Sequence, residues 1–157
     1  MAQYEFTTKG PKIIWLPFWL LISSRPRQLL KNLALFAALV FEGEFFVPGK
    51  FWAVVLGFVL FSMVTSAIYI INDLIDIEKD RAHPFKSKRP IAAGRIKPTI
   101  AFIAALALLV SALVIASNFS AFFTFALSAY TVLQIAYSLF FRSVILLDVM
   151  AIASGFL

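Results

Sequence analysis

Cysteine is missing from this 157-residue chain, histidine occurs once, and only 14% of the residues are charged. Without cysteine there is no disulfide framework and no thiolate metal site. The lone histidine, His83, has no partner imidazole, so it reads as a residue that caps or orients its loop. The shortage of charge excludes more. A soluble domain carries charge on about a quarter of its residues. This chain is 62% hydrophobic with a mean hydropathy of +0.93. A core of this size cannot bury that much apolar surface, so lipid is the expected solvent. The net charge of +6 would suggest nucleic acid in a soluble protein. Here the distribution of charge matters more than its sum, and no nucleic-acid partner is expected.

Charge is absent from residues 51–72 and again from residues 98–141. The first run suffices for one helix across ~30 Å of hydrocarbon and the second for two. The polar stretch Ser117, Asn118, Phe119 and Ser120 is the expected turn between those two. A further span is expected over residues 29–47, with Lys31 at one interface, Glu42 and Glu44 at the other, and Pro48 and Gly49 as the turn. Residues 144–157 begin a fifth span, too short to cross and holding Asp148, which reads equally as functional or as an interface residue. The run 13–24, with Trp15, Phe18 and Trp19, is too short to cross and reads as a helix lying in the membrane interface. The expected fold is an all-α, polytopic transmembrane bundle of four spans plus the start of a fifth. It forms a single membrane domain over residues 1–157, with 1–28 interfacial and 29–157 transmembrane, and it is expected to be C-terminally truncated.

The basic residues fix an orientation. Lys9, Lys12, Arg25, Arg27 and Lys31 precede the first span, seven Lys and Arg lie between residues 79 and 97, and Arg142 follows the fourth. Even numbers of spans separate these groups, so they share one side, and only Lys50 lies opposite. The positive-inside rule makes the basic side cytoplasmic, and the expected location is the cell (inner) membrane with the acidic loop on the cytoplasmic side.

Chemistry concentrates in residues 69–96, YIINDLIDIEKDRAHPFKSKRPIAAGRI. On a continuous helix Asn72, Asp73, Asp76 and Asp80 fall within one arc of about 100°, whereas Leu74, Ile75, Ile77 and Glu78 point elsewhere. Carboxylates that close repel one another and need a cation among them near a membrane. All-oxygen ligands favour Mg²⁺, which completes its shell with water and substrate phosphates. Lys86, Lys88, Arg89 and Arg95 follow, and Arg and Lys suit phosphate contact. An acidic cluster followed by a basic one fits a metal-bridged diphosphate, although a mixed-charge loop is more often a solvated interfacial loop. Pro84 and Pro90 shape the turn, and Gly94 permits a close approach before the next span.

The motif N-D-x-x-D-x-x-x-D followed by a basic stretch and R-P, here Asn72, Asp73, Asp76, Asp80, Arg89 and Pro90, resembles the first aspartate-rich motif of the UbiA superfamily of intramembrane prenyltransferases. DIEKDRAHPFKSKRPIAAG, together with RPRQLLKN (residues 25–32) and AYSLFFRSVILLDVMAIASGF (residues 136–156), most resembles the decaprenyl-phosphate phosphoribosyltransferase branch. The quinone and haem branches place Arg-Thr where Phe85 and Lys86 stand, and fit less well. Arg142 occupies a position where the family usually has lysine, which keeps the charge. Family members carry further spans and a second aspartate-rich motif in a C-terminal half, so the likeness is to an N-terminal half.

That resemblance implies a Mg²⁺-dependent transferase of cell-wall polysaccharide precursor synthesis. Phosphoribosyl diphosphate is the implied donor and polyprenyl phosphate the acceptor. Asp73, Asp76 and Asp80 are the implied catalytic and metal residues. Asn72, Lys86, Lys88, Arg89, Arg27, Lys31, Tyr137 and Arg142 are the implied substrate contacts. The isoprenoid tail is expected in an opening between spans lined by Phe. A missing C-terminal half, or a second copy, is a possible partner. One alternative is transfer of a polyprenyl group from polyprenyl diphosphate to an aromatic or other acceptor. Another is a non-enzymatic membrane subunit whose carboxylates bind a cation.

Overall fold

The computed structural model describes the backbone of residues 13–141 and the side-chain surroundings of residues 14–139. Arg142, Asp148 and the expected start of a fifth span lie outside the described residues.

The described residues are all helical or irregular. A 3-10 turn, Ile13–Trp15, leads into α1 (Leu16–Ser23), as the Trp-rich run predicts. Next come α2 (Pro26–Leu29), a 3-10 stretch Leu30–Ala34 and α3 (Leu35–Phe41). Three long helices follow, with short elements between the first two: α4 (Pro48–Ile75), α5 (Ile77–Ala82), a 3-10 turn Lys86–Lys88, α6 (Pro98–Phe119) and α7 (Ala121–Ala136). A π turn, Tyr137–Phe141, extends α7.

Three helices among the described residues are long and apolar enough to cross a membrane: Pro48–Ile75, Pro98–Phe119 and Ala121–Leu139. They match three of the four expected spans. The fourth expectation, a continuous first span over residues 29–47, is not met. The helical path from Pro26 to Phe41 is interrupted by the 3-10 stretch, and it falls short of the ~20 residues a crossing needs. Its seat on α4 is polar. The buried Asn32 amide donates to Ser62 Oγ at 3.0 Å and Thr65 Oγ1 at 3.2 Å. At its far end the Lys50 ammonium donates to Glu44 and holds that carboxyl below the usual carboxylate range.

Prolines open two of the long helices, α4 and α6, where a missing N–H costs nothing. Pro48 follows an extended Val47, and Pro98 follows an extended Lys97. The turn between α6 and α7 is one extended residue, Ser120, inside the predicted polar stretch. Its Oγ accepts from the Phe123 N–H at 3.3 Å. Ser120→Ala removes that cap and is expected to cost about 1 kcal/mol, read as a lower thermal unfolding midpoint in detergent.

The core lies where α4 packs on α6. Leu60, Val64, Ala67 and Ile70 of α4 are buried, and so are Ala101, Ala105, Ala112 and Ala116 of α6. Leu127 joins them from α7, while Trp19 and Leu20 of α1 cover the end near the acidic residues. Outward-facing Phe102, Ile103, Phe122, Phe125 and Val132 are exposed, as expected for residues that meet lipid.

Candidate metal–diphosphate site

The acidic residues sit where α4 stops. The helix does not run on through them, as the arc argument supposes. Asp76 adopts φ −92°, ψ 9° and separates α4 from α5. The hydrogen-bond pitch nevertheless survives the break. The Asp76 N–H donates to the Asn72 carbonyl at 3.0 Å, and the Asp80 N–H donates to the Asp76 carbonyl at 2.8 Å. The face therefore stays in register. Asp73, Asp76 and Asp80 are 3%, 6% and 3% exposed, which excludes the solvated-loop reading for all three. Leu74 and Ile77 pack into the core as expected. Ile75 does not, being exposed at the break. Glu78 faces away and pairs with Arg81 at 2.9 Å.

Arginine answers the carboxylates. Arg89 Nη1 lies 2.5 Å from Asp80 Oδ2 and 3.2 Å from Asp73 Oδ1, joining the first and last acids of the motif. Arg25 Nη2 lies 2.5 Å from the same Asp73 oxygen. Two guanidiniums thus converge on one buried oxygen. Arg25 stands between α1 and α2 with a left-handed backbone, φ 53°, and its guanidinium lies 4.9 Å from the Tyr69 ring centroid. It was not among the site residues expected from sequence. Nothing local marks it, because no spacing says which helix end a residue 48 positions away will reach.

The basic loop is shaped as its residues predict. His83 is extended before Pro84, and its Nδ1 accepts from the Phe85 and Lys86 N–H groups at 3.2 and 3.3 Å. Gly94 has φ 71°, and the Arg95 N–H closes the turn on the Pro90 carbonyl at 2.8 Å. Arg95 stacks 4.3 Å over Trp19 and so faces α1. Lys86 is half-buried and Lys88 exposed. Arg27 and Lys31 are exposed, and among the described residues neither forms an ion pair with the three carboxylates. Tyr137 begins the π turn, half-buried.

The donor chemistry fits Mg²⁺: three carboxylates, and the buried Asn72 Oδ1, which has no hydrogen-bond partner among the described residues. The described carboxylates do not by themselves close into a three-ligand metal cluster. A metal held here therefore needs further oxygen ligands, as Mg²⁺ usually does.

A cavity of about 650 Å³ runs along α4 toward this end. Ser66 and Ile70 in its wall precede Asp73 by about two turns and one turn, and Ser24 in its wall adjoins Arg25. Among the described residues Phe58 is the only phenylalanine in this wall, which is aliphatic and serine-dotted; a second, smaller cavity between α4 and the α6–α7 turn is lined by Phe119 and Phe123.

The sequence matches that of known proteins. The model of the UbiA prenyltransferase family matches residues 33–157. The chain is 39% identical over 137 residues to the decaprenyl-phosphate phosphoribosyltransferase of Mycolicibacterium smegmatis, covering 85% of this chain and 43% of that protein. It is 37% identical over 139 residues to the enzyme of the same name from Corynebacterium glutamicum, covering 85% and 41%. An uncharacterized protein of Sinorhizobium fredii is 41% identical over 135 residues, covering 84% and 26%. The chain spans less than half the length of the curated relatives it matches.

Proposed function

The chain belongs to the UbiA prenyltransferase family, and from that premise we propose that it supplies the first metal–diphosphate site of a membrane transferase. That enzyme moves a phosphoribosyl group from phosphoribosyl diphosphate to polyprenyl phosphate. The observation that carries the reading is three buried carboxylates on one face, at a helix end, matched by two arginines. Buried charges without such pairing would be prohibitively costly, and a metal with an anionic ligand could take over the pairing.

Asp73, Asp76 and Asp80 would hold Mg²⁺, with Asn72 Oδ1 assisting. Bound there, the metal supplies positive charge to the departing diphosphate. Arg89 and Lys86 are proposed to take phosphoryl oxygens, and the exposed Lys88 to attract the donor. The phosphate oxygen of the lipid forms a bond to C1 of the ribose as the bond from C1 to the diphosphate breaks. The acceptor is already an anion, so no strong general base is required. The cavity along α4 supports a lipid tail beside the reacting end. Arg27, Lys31, Tyr137 and Arg142 are proposed contacts for the lipid phosphate. Residues 1–28 are proposed to lie in the interface and 29–157 to form one membrane region, with the acidic loop on the cytoplasmic side of the inner membrane. The product is proposed to serve cell-wall polysaccharide synthesis.

Calorimetry tests the site. Mg²⁺ alone is expected to bind weakly, because two arginines already face Asp73, and about a hundredfold more tightly with pyrophosphate, whose oxygens complete the shell and offset the added charge. Equal affinity with and without pyrophosphate would instead mark a simple cation site. Donor competition in the complete protein then separates the chemistries. Inhibition by polyprenyl diphosphate but not by phosphoribosyl diphosphate would assign prenyl transfer.

A further inference from the structure

Arg25 lies before the family-matched segment, which begins at residue 33, yet its guanidinium reaches the first acid of the motif at 2.5 Å. Its position is held at a cost. A non-glycine residue with positive φ is uncommon, and strained backbone of this kind persists where the surroundings over-determine it, often at ligand clamps. Arg25 is held by the ion pair to Asp73, by the Tyr69 ring under its guanidinium, by Pro26, which fixes the chain just after it, and by backbone hydrogen bonds to Ile22 and from Gln28. The polar seat of Asn32 on Ser62 and Thr65 secures the same segment seven residues later. Asp73 is over-supplied with cation by this arrangement, because Arg89 already reaches the same oxygen. One arginine would pair it. The second is free to serve another anion once a metal takes the carboxylate.

We propose that Arg25 is a diphosphate-binding residue that rests on Asp73 and transfers to the phosphoryl oxygens when Mg²⁺·diphosphate binds. The role rests on the function proposed above. It makes opposite demands on two ligands. Toward bare Mg²⁺, Arg25 is a competitor, since its positive charge neutralises the oxygen the metal would use. Toward Mg²⁺·diphosphate it is a ligand, offering a planar fork that matches phosphate oxygens. A residue that only braced the N-terminal segment would weaken both ligands together when lost.

The experiment titrates the full chain in lipid nanodiscs with Mg²⁺ alone and with Mg²⁺ plus pyrophosphate. Arg25→Asn is the main variant, because asparagine tolerates the left-handed backbone. It is expected to bind Mg²⁺ alone a few-fold more tightly and Mg²⁺·pyrophosphate about tenfold or more weakly. Arg25→Lys keeps the charge without the fork. It is expected to leave Mg²⁺ alone unchanged and to weaken Mg²⁺·pyrophosphate a few-fold. If wild type binds Mg²⁺·pyrophosphate and both variants match it within twofold, the role of Arg25 is overturned and the proposed function stands. Parallel weakening of both ligands overturns it too, in favour of a brace. A wild type that binds no Mg²⁺·pyrophosphate overturns the proposed function and this role with it.

Discussion

Asp76→Asn in the complete protein is expected to reduce turnover about a thousandfold at limiting Mg²⁺, while the protein still inserts and folds. Asp76 is the middle acid of the face and 6% exposed. It also stands at the break between α4 and α5, where its backbone accepts from Asp80 and donates to Asn72. Asparagine keeps those backbone bonds and the side-chain shape, and removes one negative charge from the proposed ligand set. Glu78→Gln is the internal control. It makes the same change two residues along the chain, on the face that looks away, and is expected to leave turnover unchanged. Single-turnover rates across a Mg²⁺ series decide the matter. Near-normal turnover by Asp76→Asn at low Mg²⁺ would remove it from the metal site.

Arg89→Ala is the larger test of stability. Asp73 would keep Arg25, but Asp80 would lose its pairing to Arg89 while only 3% exposed. Removing one partner of a buried ion pair leaves an uncompensated charge, and the expected loss is ~3 kcal/mol, moderated because Arg89 is itself partly exposed. Arg89→Ala with Asp80→Asn should recover much of that loss, because the orphaned charge is gone. Thermal unfolding of the two variants in the same detergent measures it. A single variant as stable as wild type would show that water or another group neutralises Asp80.

The acidic site was legible in the sequence because helical spacing is local. Asn72, Asp73, Asp76 and Asp80 share a face by arithmetic, and the burial of the three acids follows from that face turning inward. The break at Asp76 was not legible. Both sides of it are helix-forming, the bonds from Asp76 to Asn72 and from Asp80 to Asp76 keep helical spacing on either side, and no proline or glycine marks the place. Arg25 was missed for the opposite reason. Its role is tertiary, decided by α1 folding over the end of α4, and no spacing rule connects residues 25 and 73. The long spans were plain from their lack of charge, and Ser120 from the polar cluster around it. The stretch before Glu42 misled because an apolar run says that a segment prefers lipid or core, not that its backbone is continuous.

The alanines of α6 bear on how a bulky substrate could be admitted. Ala101, Ala105, Ala112 and Ala116 are all 0% exposed, and they let α6 lie close against α4. Alanine has no rotamers, so such a seam cannot loosen by side-chain rearrangement, and parting it would open voids along its whole length. The α4–α6 pair is therefore the fixed frame on which the acids are mounted. The segment that carries Arg25 is seated on that frame by Trp19 and Leu20 in the core and by the Asn32 contacts to Ser62 and Thr65, so the arginine is presented to the acids from a fixed base.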